Sequence, residues 1–255
     1  MSGSPPAREW FRDWFGEEYL ALYPHRDEKE ARDAVDLFRD VYRGAPGSRL
    51  LDLACGAGRH LRELRTAGFD ATGLDLSSTL LRSARSAAPQ DLLVRGDMRR
   101  LPFAAGAFDG LTSFFTSFGY FADPVDDRNV LREISRVLSP GGVFMLDFLN
   151  AARVRADLVA EDSREVKGNR IVQFRRILED VVVKTIRVEP IAGGASRDFE
   201  ERVRLYSPRE LEALLAEVGL VTEQRFGDYE GASFVSRSPR LILAGRLHAR
   251  EESVS

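Results

Sequence analysis

The sequence contains little cysteine and histidine, and this shortage excludes several kinds of chemistry. Cys55 is the only cysteine among 255 residues, so no disulfide can form within the chain. A chain without disulfides fits a reducing compartment, and we therefore predict a cytoplasmic location. Because the three histidines, His25, His60 and His248, are scattered along the chain, the sequence predicts no metal site.

An excess of charge of one sign is also missing, and so are long apolar runs. The formal net charge is −3, whereas domains that follow nucleic-acid phosphates are usually distinctly basic, so a nucleic-acid partner is not expected. No apolar run approaches the roughly 20 residues that a membrane span needs. The opening residues, MSGSPPAREW, lack the apolar segment of a secretory signal. We therefore expect no membrane partner.

Short apolar runs alternate with amphipathic runs in the middle of the chain. This alternation predicts β-α-β units, an α/β fold and a mainly parallel sheet. The predicted strands cover residues 49–54, 71–76, 92–97, 108–115 and 143–149. The predicted helices between them cover residues 58–68, 79–87 and 126–142. Ser77 or Ser78 is expected to cap the second of these helices, and Pro140 with two glycines breaks the third.

The pattern changes towards both ends, which divides the chain into four predicted regions. These are an N-terminal helical cap (1–44), a core (45–150), an antiparallel β insertion or lid (151–206), and a C-terminal helix with strands that complete the core sheet (207–255). The insertion is predicted to contain strands over residues 164–178, 181–190 and 195–206. Ser207 is the predicted N-cap of the last helix. The extra strands also favour a homodimer.

The stretch LLDLACGAGRH, residues 50–60, covers most of the first predicted strand and the turn that follows it. Ligands of an open α/β sheet bind at the carboxyl ends of its strands. Ala54, Gly56 and Gly58 let the backbone turn sharply and allow a ligand to approach closely, and the carboxylate of Asp52 favours a cationic ligand. Leu61 stands where a dinucleotide-binding loop has its third glycine, and no Gly-Lys-Ser/Thr follows as in a P-loop.

The region from Leu50 to Leu149 resembles the class I S-adenosylmethionine (SAM)-dependent methyltransferases of the small-molecule type. Asp52, Ala54, Gly56 and Gly58 match their glycine-rich first motif. GLDLS, GDMRRLPF, FDGLTSFFTSFGYF and LREISRVLSPGGVFMLDF resemble their later motifs in the same order. The resemblance implies a Rossmann-like seven-stranded sheet with helices on both faces, an N-terminal helical lid, an antiparallel insertion, and SAM as the cofactor.

The resemblance also implies roles for individual residues in holding SAM. Asp75 is expected to bind both ribose hydroxyls, and Asp97 the adenine amino group, with Met98 beside the purine. The remaining predicted cofactor-binding residues are Arg26, Arg59, Leu76 and Phe114. SAM carries no phosphate, so it does not need the third glycine. The alternatives are that the glycines form a plain turn and that Asp75 and Asp97 only cap helices.

Three tyrosines are the candidate catalytic residues. Tyr19 and Tyr23 are four residues apart and share a helix face, and Tyr120 follows the fourth strand. The alternative is that these aromatic residues only form the packing face of a lid. Arg202, Arg204 and Tyr206 alternate on a strand, so their shared face lines an acceptor pocket, forms a dimer interface or lies in solvent.

The predicted reaction is SAM-dependent methyl transfer to a small-molecule acceptor, an amine or a hydroxyl, by in-line displacement. The stretch RDFEERVRLYSPREL, residues 197–211, resembles the junction between the lid strand and the helix in small-molecule methyltransferases that act on amines, including sugar amines. An RNA methyltransferase acting on tRNA, a non-catalytic SAM-binding module and a nicotinamide dehydrogenase are the alternatives. No Asp/Asn-Pro-Pro-Tyr/Phe tetrapeptide follows strand four, which disfavours methylation of a nucleobase amine.

Overall fold

A computed structural model gives the structure of the chain and describes residues 9–23 and 28–248. Its strands are β1 (Arg49–Leu53), β2 (Asp70–Asp75), β3 (Leu92–Arg95), β4 (Phe108–Ser113), β5 (Leu138–Leu149), β6 (Glu161–Val166), β7 (Asn169–Leu178), β8 (Val181–Pro190), β9 (Arg197–Arg204), β10 (Leu220–Phe226) and β11 (Arg240–Leu247). Its helices are α1 (Trp10–Trp14), α2 (Glu17–Leu22), α3 (Glu28–Tyr42), α4 (Arg59–Thr66), α5 (Ser78–Ala87), α6 (Pro124–Val137), α7 (Ala151–Ala156) and α8 (Pro208–Ala216).

The main sheet has seven strands in the order β10-β11-β5-β4-β1-β2-β3. Strands β1 to β5 pair in parallel, and β11 joins β5 antiparallel. The predicted seven-stranded sheet, with C-terminal strands completing it, is therefore confirmed. The predicted helix over 126–142 ends earlier, at Val137, because β5 begins at Leu138, where its backbone already pairs with Phe108.

Helices cover both faces of this sheet, as predicted. Side chains alternate between the two faces along each strand, and apolar side chains on both faces pack against helices. Leu50 of β1 packs in one apolar cluster with α3 and α4, which contribute Phe38 and Leu61. Leu51, the next residue, packs in the other apolar cluster with α6 and α8, which contribute Leu131 and Leu211. The predicted caps are also present: the side chain of Ser77 accepts from Leu80 N, and Ser207 forms a reciprocal capping box with Glu210.

A second sheet is antiparallel, with the order β6-β7-β8-β9. One prediction within it was wrong: the single strand expected over 164–178 is a hairpin of β6 and β7. Its turn lies at Lys167 and Gly168, both with positive φ (48° and 76°). Only β7 after this turn is rich in strand-forming residues, whereas β6 before it, EDSREV, is mostly charged, and a lone glycine after a lysine is a weak turn signal.

Residues 9–23, the first part of the predicted N-terminal helical cap, contain two short helices, α1 and α2. Gly16 separates α1 from α2 in an extended conformation, with φ −127° and ψ −153°. Trp14 of α1 is fully buried, and its ring centroid lies 5.0 Å from that of Phe199 on β9. The indole nitrogen of Trp10 donates to the carbonyl oxygen of Tyr120 at 3.3 Å. These contacts fix the helix pair against the second sheet and the loop after β4.

Within residues 9–23 and 28–248, no helix combines the length and the apolar character that a membrane crossing requires.

Candidate active site

A cavity of about 1370 Å³ lies at the carboxyl ends of the parallel strands. The strand order reverses between β1 and β4, which is the position where open α/β sheets bind ligands. The loops after β1, β2 and β4 line the cavity, with the loops after β1 and β4 on opposite sides. Residues of α1, α2 and the second sheet, including Tyr23 and Lys184, complete the wall. The lid helices therefore meet the sheet at this cavity.

The glycine-rich loop after β1 has a backbone that suits a close ligand. Ala54, Gly56 and Gly58 all have left-handed φ angles of 59°, 56° and 77°. A Cβ atom on Gly58 would lie 3.2 Å from the Cβ of Ala84, so glycine also allows α4 to pack closely on α5. Ala54 and Gly56 line the cavity.

Asp75 is the last residue of β2. Its carboxylate binds the backbone of the glycine-rich loop and the backbone of the segment that follows β2. Its Oδ2 accepts from Gly56 N at 2.9 Å, and its Oδ1 accepts from Ser77 N at 2.7 Å. Burial raises the pKa of Asp75, although both backbone donors oppose the shift. The cap of α5 is Ser77, so a helix cap does not account for Asp75. A carboxylate oxygen accepts more than one hydrogen bond, so Asp75 holds the loop and still presents acceptor capacity to the cavity that it lines.

Asp97 follows β3 and is half-buried at the cavity wall. Arg99 Nη2 donates to its Oδ2 at 2.7 Å, and Arg99 also pairs with Asp126 at 3.0 Å and with Glu9 at 2.7 Å. Burial acts to raise the pKa of Asp97, but the hydrogen bonds from Arg99 outweigh it and hold the pKa below its usual value. The carboxylate is therefore ionised at neutral pH.

The predicted cofactor residues divide into those at the cavity and those away from it. The ones that line it are Ala54, Gly56, Arg59, Asp75, Leu76, Asp97, Met98 and Phe114. Gly58 and Asp52 do not, and Arg26 lies outside the described residues. Asp52 is buried within β1, where the hydroxyl of Thr112 donates to it at 3.3 Å and burial raises its pKa to about 7. The prediction that Asp52 helps to bind the cofactor stays a prediction.

The three candidate tyrosines meet at the lid side of the cavity, which all three line. The rings of Tyr19 and Tyr23 lie 5.3 Å apart. Phe15 connects them to Tyr120, because its ring is 4.9 Å from Tyr19 and 5.9 Å from Tyr120. The Tyr120 hydroxyl donates to the carbonyl oxygen of Thr116.

The second sheet supplies polar groups that the sequence interpretation missed. Lys184 Nζ donates to Tyr23 Oη and to Glu201 Oε2, both at 3.0 Å. Glu201 Oε1 accepts from the indole nitrogen of Trp14 at 2.6 Å. Lys184 and Glu201 are opposite each other on β8 and β9, and both line the cavity. The cavity is therefore bounded on this side by an ion pair and a phenol.

Three alternatives were open for the face of β9 that carries Arg202, Arg204 and Tyr206, and the structure does not place this face at the cavity. Arg202 pairs with Glu200 at the surface, while Arg204 and Tyr206 contact the buried carboxylate of Asp127. The opposite face of the strand, with Glu201 and Val203, lines the cavity. The signal that identifies this face is the pair Phe199 and Val203, which are four residues apart and therefore lie on the same side of the strand as Glu201, since apolar residues at an even spacing mark the covered side of a strand.

Comparisons with known proteins agree with this architecture. Residues 51–146 match the family described as Methyltransferase domain. The chain is 28% identical over 231 residues to dTDP-3-amino-3,6-dideoxy-alpha-D-glucopyranose N,N-dimethyltransferase from Streptomyces fradiae, covering 88% of this chain and 90% of that protein. It is 35% identical over 144 residues to dTDP-3-amino-3,4,6-trideoxy-alpha-D-glucopyranose N,N-dimethyltransferase from Streptomyces venezuelae, covering 54% of this chain and 59% of that protein.

A solved structure is similar over most of its length. The SAM-bound amino pentose methyltransferase from Micromonospora echinaspora superposes with a TM-score of 0.70 at 25% identity, over 91% of this chain and 97% of that one. The fold and the crevice thus define a Rossmann-like methyltransferase. Together with the comparisons, they identify the chain as a SAM-dependent methyltransferase with SAM as its methyl donor, and they support the class I small-molecule type. The predicted fold class, enzyme class and cofactor are confirmed.

Proposed function

We propose that this enzyme transfers a methyl group from SAM to the amino group of a small molecule, and that the acceptor is an amino sugar. The observation that carries the proposal is the extent of the cavity. Its volume of about 1370 Å³ exceeds the roughly 300–1,000 Å³ of a typical small-molecule site, so it has room for the donor and an acceptor together. The names of the two relatives and of the amino pentose methyltransferase support the choice of an amino sugar.

The donor half of the proposed site is the part around the glycine-rich loop. Asp75 is proposed to accept from the ribose hydroxyls and Asp97 from the adenine amino group, with Leu76 and Met98 against the purine. All four residues line the cavity. Each carboxylate is held in place by a hydrogen bond, that of Asp75 from Gly56 N and that of Asp97 from the guanidinium of Arg99. Arg59 and Phe114 are proposed to complete this half.

The acceptor half is the part between the lid helices and the second sheet. Sugars are bound through hydrogen bonds and through contact with aromatic rings, and this end of the cavity offers both. Tyr19, Tyr23 and Tyr120 supply rings and hydroxyl groups. Lys184 and Glu201 supply charged hydrogen-bonding groups. Because they form an ion pair with each other, together they add no net charge to this wall.

The chemistry required of the protein is mainly positioning. SAM, when bound, supplies a methyl group on a positively charged sulfur that a neutral amine can attack in line. A hydroxyl acceptor needs a base in addition, whereas an amine needs only its lone pair and correct orientation. The three tyrosines are proposed to orient the amine, and the lid helices to exclude water from the reacting atoms.

The remaining sequence predictions stay predictions. They are a homodimer, a cytoplasmic location and the absence of a nucleic-acid partner, and a hydroxyl acceptor is the alternative to the proposed amine.

The function is tested with the purified full chain, SAM and a panel of acceptors. The panel contains an amino sugar as the free sugar, as an alkyl glycoside and as the dTDP-linked sugar, the matching sugars with a hydroxyl in place of the amine, and unmodified tRNA. Mass spectrometry identifies which molecule gains one or two methyl groups. Methylation of amino sugars without methylation of the hydroxyl analogues is the expected result, and methylation only of hydroxyl analogues or of tRNA contradicts the proposal.

A further inference from the structure

The turn after β4 forms the cavity wall that faces the glycine-rich loop. The strand order reverses between β1 and β4, so the loops after these two strands form the two sides of the crevice. Phe115 and Thr116 line the cavity, and their φ angles are 63° and 56°. Residues with a side chain rarely adopt this left-handed conformation, and they keep it only where surrounding contacts hold them.

Asp147 supplies those contacts from the neighbouring strand β5. It is fully buried, its Oδ2 accepts from Phe115 N at 2.6 Å, and its carbonyl oxygen accepts from Thr116 N at 3.1 Å. One residue therefore binds the backbone N–H groups of both left-handed residues. Because a buried carboxylate is costly unless its oxygens are hydrogen-bonded, the position of Asp147 depends in turn on its other donors.

Tyr229 and Arg240 are those other donors. The Tyr229 hydroxyl donates to Asp147 Oδ2 at 2.5 Å, and Arg240 Nη1 lies 3.1 Å from the same oxygen. The guanidinium carbon of Arg240 lies 4.9 Å from the centre of the Phe115 ring, and that of Arg59 lies 4.8 Å from it. The turn is thus held both at its backbone and at its ring.

We infer that Asp147 is a positioning residue for methyl transfer, acting through the turn at Phe115 and Thr116, with Tyr229 as its support. Neither Asp147 nor Tyr229 is among the described residues that line the cavity. Tyr229 reaches the cavity through Asp147 and the turn, and through ring contacts with Phe114 at 6.2 Å and with the guanidinium of Arg240 at 4.7 Å. Tyr229→Phe retains the ring for both of these contacts and removes only the hydrogen bond to Asp147. The inference concerns the methyltransferase site itself and does not depend on the identity of the acceptor.

The chain contains a matched control for this arrangement. Asp127 is also buried, the Tyr206 hydroxyl donates to its Oδ2 at 2.7 Å, and Arg204 Nε lies 3.5 Å from that oxygen. The carboxylate of Asp127 accepts from no backbone N–H of the 115–116 turn among the described hydrogen bonds. Tyr206→Phe therefore removes the same kind of bond as Tyr229→Phe without affecting that turn directly.

The test compares Tyr229→Phe with Tyr206→Phe in the full chain. Calorimetry measures the dissociation constant of S-adenosylhomocysteine, thermal unfolding measures Tm, and hydrogen exchange measures the amides of Phe115 and Thr116. We expect both variants to lose a similar amount of Tm. Tyr229→Phe should weaken S-adenosylhomocysteine binding about tenfold and speed exchange in the turn, whereas Tyr206→Phe should change binding by less than about twofold.

Two outcomes overturn the inference. The first is Tyr229→Phe binding S-adenosylhomocysteine as tightly as the unaltered chain, or Tyr206→Phe weakening it equally, because the bond would then serve only stability. The second needs no variant and decides the matter even if Tyr229→Phe does not fold. If the amides of Phe115 and Thr116 in the unaltered chain exchange as fast as those of exposed loops, Asp147 does not hold the turn.

Discussion

Lys184 Nζ donates a hydrogen bond to Tyr23 Oη over 3.0 Å, although the two residues are 161 positions apart in the chain. Lys184 also pairs with Glu201, and Glu201 accepts from the indole of Trp14. Trp14 belongs to α1, and Tyr23 is the C-cap residue directly after α2. One ion pair of the second sheet thus holds both lid helices at the wall of the cavity, so we expect it to affect the acceptor half of the site more than the donor half.

Tyr23→Phe and Lys184→Met should each lower turnover about tenfold while leaving the affinity for S-adenosylhomocysteine nearly unchanged. The first removes the hydroxyl, and the second removes the donor that fixes it. Steady-state kinetics with an accepted amine, together with calorimetry, separates the two effects. Arg187→Met is the matched control, since Arg187 pairs with Asp198 in the same β8–β9 ladder but at the surface. Unchanged turnover in both variants would make Tyr23 and Lys184 packing residues.

Asp75→Ala should weaken SAM binding by about 1–3 kcal/mol, because it leaves buried hydrogen-bonding partners without a charged acceptor. Part of this loss comes from Gly56 N, which Asp75 holds at 2.9 Å. Calorimetry with S-adenosylhomocysteine measures it. Asp109→Ala is the control. Asp109 accepts from Arg49 at the amino ends of β1 and β4, and the cavity lies at the carboxyl ends of these strands. The assignment of Asp75 to the donor site fails if the two variants bind the ligand equally well.

The main sheet was predictable from the sequence because its signals are local. Each β-α unit carries an apolar run, an amphipathic run and a glycine or proline that ends it, and these patterns need no knowledge of distant contacts. Asp75 and Gly56 are only 19 residues apart, so adjacent parallel strands bring them together without help from the rest of the chain. The motif order then identified the family.

The acceptor side was less predictable because long-range packing decides it. Arg202 and Glu201 are neighbours on β9, and a shift of one residue reverses which of them faces the cavity. The sequence left a pocket, a dimer interface and solvent open for the face with Arg202, whereas the structure places Glu201 of the other face at the cavity wall, opposite Lys184. Contacts such as that of Asp147 with the turn after β4 depend on tertiary geometry and leave no trace in local periodicity.

Arg99→Met should make ligand binding sensitive to acid. Arg99 holds the pKa of Asp97 below its usual value against the opposing effect of burial, so Asp97 stays ionised through mildly acidic pH. Without the side chain of Arg99 that pKa rises, so affinity for S-adenosylhomocysteine should begin to fall at a higher pH than in the unaltered chain. Calorimetry over a series of acidic pH values measures the difference. Arg100→Met, at an exposed neighbouring position, should behave like the unaltered chain. An identical pH profile for both variants would remove Asp97 from the donor site.

Asp52→Asn should stabilise the protein increasingly as the pH rises. Burial raises the pKa of Asp52 from 3.8 to about 7, so the folded chain binds this proton more tightly than the unfolded chain does. The resulting stability is fully present below about pH 4 and is lost as the pH rises through about 7. Asparagine stays neutral, so its advantage should grow to the order of 4 kcal/mol by about pH 8.

The free energy of unfolding in urea, measured without ligand between about pH 5 and pH 8, checks this expectation for Asp52. Asp198→Asn is the control. Asp198 lies at the surface, and its pKa is lowered by the hydrogen bond from Arg187, so its titration is complete below this range. The stability difference between Asp198→Asn and the unaltered chain should therefore stay constant across it. A constant difference for Asp52→Asn as well would mean that the buried carboxyl group does not titrate near neutrality.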